Sequence, residues 1–448
     1  MTWTFSAAAP VIDESGASRL AARSDRSGWA PDGTPRGVVV AHDIAEVQQT
    51  LAFASEHGFP VVTRGAGSGL AGGASAGEGA IVLDLSRLDR IVSIDPVDAV
   101  AHVQPGVSAA ALDAAAAEYG LRYAPDPGSF STSTIGGNIA TNAGGNRAAT
   151  TGSTRDAVLA LDVVLADGSL VQLGRETVRG VVGLDLVSLV VGSEGTLGAV
   201  VGATLRLTPR PVGSAVAAAT FADAEAGAEA SAALALAGLR PVSIELIDGR
   251  TLEAIDALRG SALSQGAGAY LLVRAEGRGA EAEIAEVAAV LAQTAIEVET
   301  TGDDERAREL ASVRRDALAA IEARGPAIIE DVAVPRSRLA EAIRGIDEIS
   351  ESLGVDVHVL AHAGDGGIHP VLRLDDDGPA SQLDAARTID AILELALRLG
   401  GTVSAEHGVG ALKRRWARIE LGDSVVELQR RVQAAFDPNG ILNPGKAL

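Results

Sequence analysis

Between residues 124 and 155 the chain gives up periodicity and becomes dense in Gly, Ser, Thr and Asn. Its flanks do not: residues 108–119 read as a helix, and 158–165 with 170–173 as a hairpin turning at Asp167-Gly168. A run of that length with no regular structure, inside an otherwise regular domain, is usually functional rather than a linker. A second such run, 64–79, follows a short strand at 60–63 and precedes another at 80–85. The fold must therefore carry two glycine-rich segments, rich in exposed backbone, on regular scaffolding.

The length, 448 residues, implies more than one core, and 47% hydrophobic residues supply them. The formal charge is −22, which repels phosphate backbones and argues against nucleic acid as a partner. Cysteine is absent, which excludes disulfides, thiolate metal ligands, a cysteine nucleophile and an iron–sulfur cluster ligated by this chain. The same absence fits a reducing cytoplasm. Residues 1–25 have no basic start before an apolar stretch, so no signal peptide is expected. No apolar run approaches the roughly 20 residues needed to span a bilayer. A cytoplasmic location is expected, with peripheral attachment to the inner face of the membrane left open.

An irregular stretch, 1–35, precedes a helix at 43–57 and strands at 80–85, 91–95, 99–104 and 197–207. Pro209 and Pro211 end that pattern. Ala/Glu-rich helices (222–238, 280–293, 303–323, 336–353) then alternate with strands (242–247, 269–275, 296–300, 327–334, 355–362). Such units predict an antiparallel sheet with helices on one side. The last 45 residues read as mostly helical. The expected class is α+β: an N-terminal segment 1–34, a first domain 35–212, a second domain 213–403 and a C-terminal helical segment 404–448.

Gly67-Ser-Gly-Leu-Ala-Gly72 matches G-x-G-x-x-G, but a strand follows it instead of a helix, so the dinucleotide-fold reading fails. What remains is a candidate nest of backbone N–H groups for a pyrophosphate, built from Arg64, Gly65, Ala66, Gly67, Ser68, Gly69 and Leu70. The second run offers Pro127, Gly128, Ser129 and Thr132, then Gly136, Gly137 and Asn138, then Thr141, Asn142, Gly144 and Gly145. Hydroxyls, amides and closely approaching backbone of this kind suit a flavin ring and its ribityl chain. With Gly192-Ser-Glu-Gly-Thr-Leu-Gly198, these segments resemble the vanillyl-alcohol-oxidase-type FAD-binding domain over residues 35–212. The resemblance implies FAD and extends the cofactor set to Glu194, Gly195, Gly198, Val200 and Asn443. Where some members tether the flavin to a His, Ser68 stands here, and no Cys is available, so the FAD is expected to be noncovalent.

Four of the seven histidines lie late in the chain: His358, His362, His369 and His407. His362-Ala-Gly-Asp-Gly-Gly-Ile-His369 and Glu406-His407 put two imidazoles and a carboxylate among glycines, a donor set suited to Zn or a similar divalent metal. His358 shares a strand face with His362 by alternation and is expected at the surface. These segments, with the ending Phe436-Asp-Pro-Asn-Gly-Ile-Leu-Asn-Pro-Gly-Lys446, resemble the C-terminal part of FAD-linked 2-hydroxy-acid dehydrogenases. That group includes D-lactate dehydrogenases, the flavin subunit of glycolate oxidase and D-2-hydroxyglutarate dehydrogenase. The resemblance implies His362, His369 and Glu406 as metal ligands and His407 as the base. It implies Arg314 as the clamp on the substrate carboxylate, with Arg315 its rival. A separate electron acceptor is implied (a quinone, an electron-transfer flavoprotein, a cytochrome, a partner subunit or dioxygen), and a homodimer is left open.

Three departures bear on the substrate. The family's usual Asn between the two histidines is Gly367 here. The Asn two residues past the second His in D-2-hydroxyglutarate dehydrogenases is Val371, and the Lys two residues before Asp331 is Ile329. A second substrate carboxylate would lack its partners, so the expectation is a D-lactate- or glycolate-like monocarboxylate oxidised to the 2-oxo acid. The alternatives are D-2-hydroxyglutarate oxidation, an alcohol or sugar oxidase on the same scaffold, and a flavin-binding subunit without catalysis.

Overall fold

The computed structural model describes residues 9–177 and 179–447. Residues 1–8 of the N-terminal segment, and the part of the signal-peptide expectation that rests on them, lie outside the described residues. The chain forms two compact units. One holds the described residues up to Gly145, Gly152–Arg210 and the chain from Glu406; the other holds Asn146–Thr151 and Pro211–Ala405.

The first unit contains a parallel three-stranded sheet with Ile81–Asp84 between Gly37–Val40 and Val61–Arg64. The helix Ile44–His57 connects two of its strands. Asp43 caps its start by accepting the Glu46 N–H, and Gly58 ends it at φ 70°. Val47, Leu51 and Ala54 recur at helical spacing and bury against Ile81 and Leu83. A five-stranded antiparallel sheet runs in the order Ile91–Asp95, Val100–Val103, Ala199–Arg206, Val158–Val164, Leu170–Gly174. Its core includes Leu112, Tyr123, Ile135, Ile139, Leu161 and Leu205. Full burial of each such side chain is worth roughly 1.5–3 kcal/mol.

The chain's end belongs to this unit. After the helices Arg414–Leu421 and Asp423–Phe436 it runs alongside Val61, whose N–H donates to the Ile441 carbonyl and whose carbonyl accepts the Asn443 N–H. Ile441 and Leu442 enter the same core as Val61. Residues 1–35, read as irregular, contain the helix Gly16–Ala22, and a strand begins at Gly37.

The second unit is one antiparallel sheet. Its order is Glu297–Thr301, Ser214–Phe221, Ala269–Glu276, Ser243–Asp248, Asp356–His362, Gly367–Arg373, Ala327–Ile329, with Val332–Ala333 also on Gly367–Arg373. Helices cover both of its faces, which corrects the one-sided arrangement expected from the sequence. Gly249–Arg259 and Asp304–Glu322 pack with Val216, Ala218, Ile247, Tyr270 and Leu272. On the opposite face, Ala224–Leu236 sits so close that a Cβ at Gly227 would be 2.6 Å from Leu246 Cδ1. The physical reason is visible in Ala215–Ala219, a strand buried on both faces and therefore apolar throughout.

Among the described residues no helix is long and apolar enough to cross a membrane.

Candidate functional site

Glycine in the first unit allows loops to touch. A Cβ at Gly65 would lie 2.3 Å from Thr134 Oγ1, so the first glycine loop abuts the second. Thr134 caps the helix Ile135–Thr141 by accepting the Gly137 N–H. Gly136 is pressed onto Pro105, where a Cβ would meet Pro105 Cβ at 2.6 Å. Asn142 closes the helix at φ 54°, and its Oδ1 accepts from the Ser153 hydroxyl and the Arg155 N–H. Pro127 to Thr132 is a tight turn: Phe130 N–H donates to the Pro127 carbonyl and Thr132 N–H to that of Ser129, while Gly128 is open to solvent. The Thr141 hydroxyl donates to the Gly137 carbonyl.

Two observations test these loops against FAD. Among the described residues, none of the N–H groups of Ala66, Gly67, Ser68, Gly69 and Leu70 donates to a protein acceptor. Five consecutive donors left over by the fold are what an anionic pyrophosphate requires. Asn138 is buried, and its Nδ2 also finds no acceptor among the described residues. The residues fit the cofactor.

Other members of the expected cofactor set brace the loops. Arg64 turns back and donates to the carbonyls of Ala74 and Ser24. Glu194, at φ 51°, accepts the N–H groups of Val409 and Gly410, each at 2.7 Å. Burial pushes the Glu194 carboxyl up despite those bonds. Asn443 donates to the carbonyls of Gly73 and Glu194. Gly195 holds φ 76°, and Gly198 holds φ 154° against Val163. Val200 lies in the sheet with its side chain buried. The sequence reading missed Lys446, which donates to the carbonyls of Gly72 and Ser75 beneath the Trp29 ring. Burial pulls its pKa down to about 8, against the pull of Asp25 and Glu194. Its signal was its rarity: one of two lysines in an Arg-rich chain.

Glu406 and His407 also belong to the first unit and are partly buried. A Cβ on Gly144 would lie 3.0 Å from Glu406 Oε2, so the Gly144-Gly145 backbone passes directly by that carboxylate. His407 Nε2 is 3.9 Å from Glu406 Oε1. Gly408 and Gly410 follow at φ 85° and 51°, and Glu194 fixes this turn from below.

The second unit brings Arg314, His362 and His369 together on one sheet face. Glu245 and His362 are direct cross-strand partners, and His362 Nδ1 lies 2.8 and 3.0 Å from the two Glu245 oxygens. A carboxylate only accepts, so Nδ1 carries the proton and Nε2 presents a lone pair. His369 Nε2 is 3.2 Å from it, with the rings nearly perpendicular. His369 Nδ1 faces Asp331 Oδ1 at 3.8 Å, and Asp331 Oδ2 accepts from the Ser404 hydroxyl and the Ala405 N–H. Two imidazoles backed by carboxylates and pointing their Nε2 atoms at one another are a donor set that fits a cation. Arg314, on Asp304–Glu322, donates Nε–H to Glu245 Oε2 at 3.0 Å. Burial raises the Glu245 carboxyl, but His362 and Arg314 outweigh it and leave its pKa below the usual value. Arg315 is exposed and bonds back to the Arg308 carbonyl, so Arg314 is the arginine brought to the histidines.

His358 is a correction. It is fully buried, with Nδ1 3.2 Å from the Thr251 hydroxyl and Nε2 3.6 Å from Asp356. Alternation does put it on the His362 face, but the helix Gly249–Arg259 covers that end of the strand.

A model of the C-terminal domain of FAD linked oxidases matches residues 210–447, and one of an FAD binding domain matches residues 35–174. The chain is 36% identical over 439 residues to the glycolate oxidase subunit GlcD of Bacillus subtilis, covering 97% of this chain and 93% of that protein. It is 35% identical to a D-lactate dehydrogenase of Archaeoglobus fulgidus, over 92% of this chain and 91% of the relative. In fold it is similar to p-cresol methylhydroxylase, with a TM-score of 0.79 at 17% identity, covering 97% of this chain and 93% of that one. Matched nearly end to end by such relatives, and over more than half its length by the C-terminal family model, the chain belongs to the FAD-linked oxidases, as an oxidoreductase on the vanillyl-alcohol-oxidase-type FAD-binding fold.

Proposed function

We propose that this enzyme oxidises a small monocarboxylic D-2-hydroxy acid, of the size of D-lactate or glycolate, to the corresponding 2-oxo acid, using noncovalent FAD. The observation that carries this reading is the array of Arg314, Glu245, His362 and His369 on one sheet face. It combines a guanidinium suited to a carboxylate with a pair of imidazoles suited to an adjacent oxygen. The names of the two relatives support the same substrate class.

In this reading Arg314 binds the substrate carboxylate through its Nη groups and fixes the orientation of the 2-carbon. His407 takes the proton from the 2-hydroxyl oxygen, a role that imidazole fills near neutral pH. The Glu194-braced turn at Gly408–Gly410 holds the backbone that carries it. Bound FAD supplies the two-electron acceptor for the hydrogen leaving the 2-carbon. A divalent metal such as Zn, held by His362, His369 and Glu406, would supply Lewis acidity at the hydroxyl. The electrons then leave to a separate acceptor, and the reading places the enzyme in the cytoplasm or at the inner face of its membrane.

In this reading the side-chain end of the substrate points toward the apolar part of the same sheet face. Val371 lies two residues past His369 on the same strand face, is fully buried, and pairs in register with Ile329; Leu360 packs in the same cluster. A second carboxylate placed there would lose its hydration against these apolar side chains. Assay with an artificial dye acceptor should therefore give kcat/KM for D-lactate or glycolate at least ~100-fold above that for D-2-hydroxyglutarate, the scale on which buried unpaired charge discriminates. Preference for the dicarboxylate would remove the monocarboxylate assignment.

A further inference from the structure

Glu245 has no role in the chemistry above, yet it is only 3% exposed and lies at the centre of the array. Its place is set by sheet register, directly opposite His362. Its oxygens serve two partners: His362 Nδ1 at 2.8 and 3.0 Å, and Arg314 Nε at 3.0 Å. On His362 the contact dictates the tautomer, since only Nδ1–H can donate to a carboxylate. On Arg314 the contact occupies Nε and so leaves the two Nη groups, the end-on fork, for a second carboxylate. A packing role alone would ask for neither a charge nor two partners, and a buried carboxylate is kept ionised only by such partners.

We propose that Glu245 is a positioning residue with two simultaneous tasks: it aims the Arg314 fork at the substrate carboxylate and locks His362 with its Nε2 lone pair toward His369. The first task rests on the reading of Arg314 as the carboxylate clamp; the second does not. Glu245 touches neither substrate nor cofactor, so its influence is exerted through these two side chains.

The test uses the full-length holoenzyme and four variants: Glu245→Gln, Glu245→Asp, Arg314→Ala and the double Glu245→Gln/Arg314→Ala. Two readouts are taken: KM and kcat for D-lactate with a dye acceptor, and the His362 tautomer by long-range ¹⁵N NMR on histidine-labelled protein treated with chelator, because a metal on Nε2 would by itself keep the proton on Nδ1. Arg314→Ala should raise KM about 100-fold, as loss of a charge-assisted bidentate contact does. Glu245→Gln should raise KM about 10-fold with a smaller change in kcat, and should erase the pure Nδ1–H signature of His362. In the double variant KM should match Arg314→Ala within about threefold, because residues acting through one another are not additive. Glu245→Asp keeps the charge but withdraws it by one methylene, so it should show the same KM rise should the Gln variant fail to fold. Multiplying effects in the double variant would overturn the Arg314 task. An unchanged His362 tautomer in Glu245→Gln would overturn the His362 task. If Arg314→Ala leaves KM unaltered, or no 2-hydroxy acid is turned over, the clamp reading itself falls, and the tautomer measurement still decides what Glu245 does to His362.

Discussion

His407→Ala is expected to lower kcat/KM by roughly 10²–10⁴ while the protein stays folded and yellow, the range that removal of a general base spans. The imidazole is only partly buried and contributes to none of the apolar cores described above, so its loss leaves no hydrophobic cavity. The turn that carries it is held by backbone bonds from Val409 and Gly410 to Glu194, and the substitution does not touch them. Flavin absorbance per chain and the thermal midpoint are the controls that separate lost chemistry from lost structure. Near-normal activity with both controls intact would end the role of His407 as base.

Gly145→Ala is expected to do the reverse: damage the first unit and release the flavin. Gly145 sits at φ 138°, and a Cβ there would lie 2.2 Å from the Asp126 carbonyl oxygen. An L side chain at that φ is strained, and the clash is with backbone, which cannot swing aside. The combined penalty is roughly 2–5 kcal/mol, a large share of a domain's stability. The control is Gly16→Ala in the same unit, an exposed position outside the cofactor loops where a Cβ meets nothing within 4 Å. It should change stability by less than about 0.5 kcal/mol, as open surface positions do. Equal behaviour of the two variants in flavin retention and melting would contradict this account of the loop.

Much of this architecture could be read from the chain because local signals and tertiary context agree. The helix Ile44–His57 carries an Asp cap, buried residues at helical spacing and a closing Gly, and it forms within a residue of where those signals put it. Disagreement between local and tertiary signals hid other elements. The helix Ile135–Thr141 lies inside the aperiodic run because its sequence, Ile-Gly-Gly-Asn-Ile-Ala-Thr, is poor in helix formers; the Thr134 cap and the burial of Ile135 and Ile139 hold it. The strand Gly367–Arg373 contains a Gly and a Pro, which read as turn, yet Pro370 is buried in a ladder with Val359. The helix Gly249–Arg259 had readable ends, an Asp248 cap and Gly260 at φ 70°, within a stretch whose apolar spacing is weak.

For the candidate site, the resemblance carried by the motifs pointed to the glycine loops, His362, His369 and Arg314, and left Arg315 as a rival to Arg314 that only packing could separate. Glu245 was invisible for a physical reason: a lone Glu on an otherwise apolar strand acquires meaning only when register sets it opposite His362, and register is not written in either strand alone. Division of labour within the loops was hidden for a similar reason. Whether Arg64, Glu194 and Asn443 face a ligand or brace backbone depends on carbonyl and N–H groups from segments far away in sequence.

The measurement that tests the central claim most directly is an anaerobic absorbance titration of the purified yellow protein with D-lactate, glycolate and D-2-hydroxyglutarate, with L-lactate as the stereochemical control, each with and without a chelator. The account predicts that the flavin band bleaches with a small D-2-hydroxy monocarboxylate or glycolate, that L-lactate and the dicarboxylate leave it standing at the same concentration, and that chelator slows the bleaching. A flavin band that none of these acids bleaches would contradict the assignment of this FAD-linked oxidase to 2-hydroxy-acid oxidation.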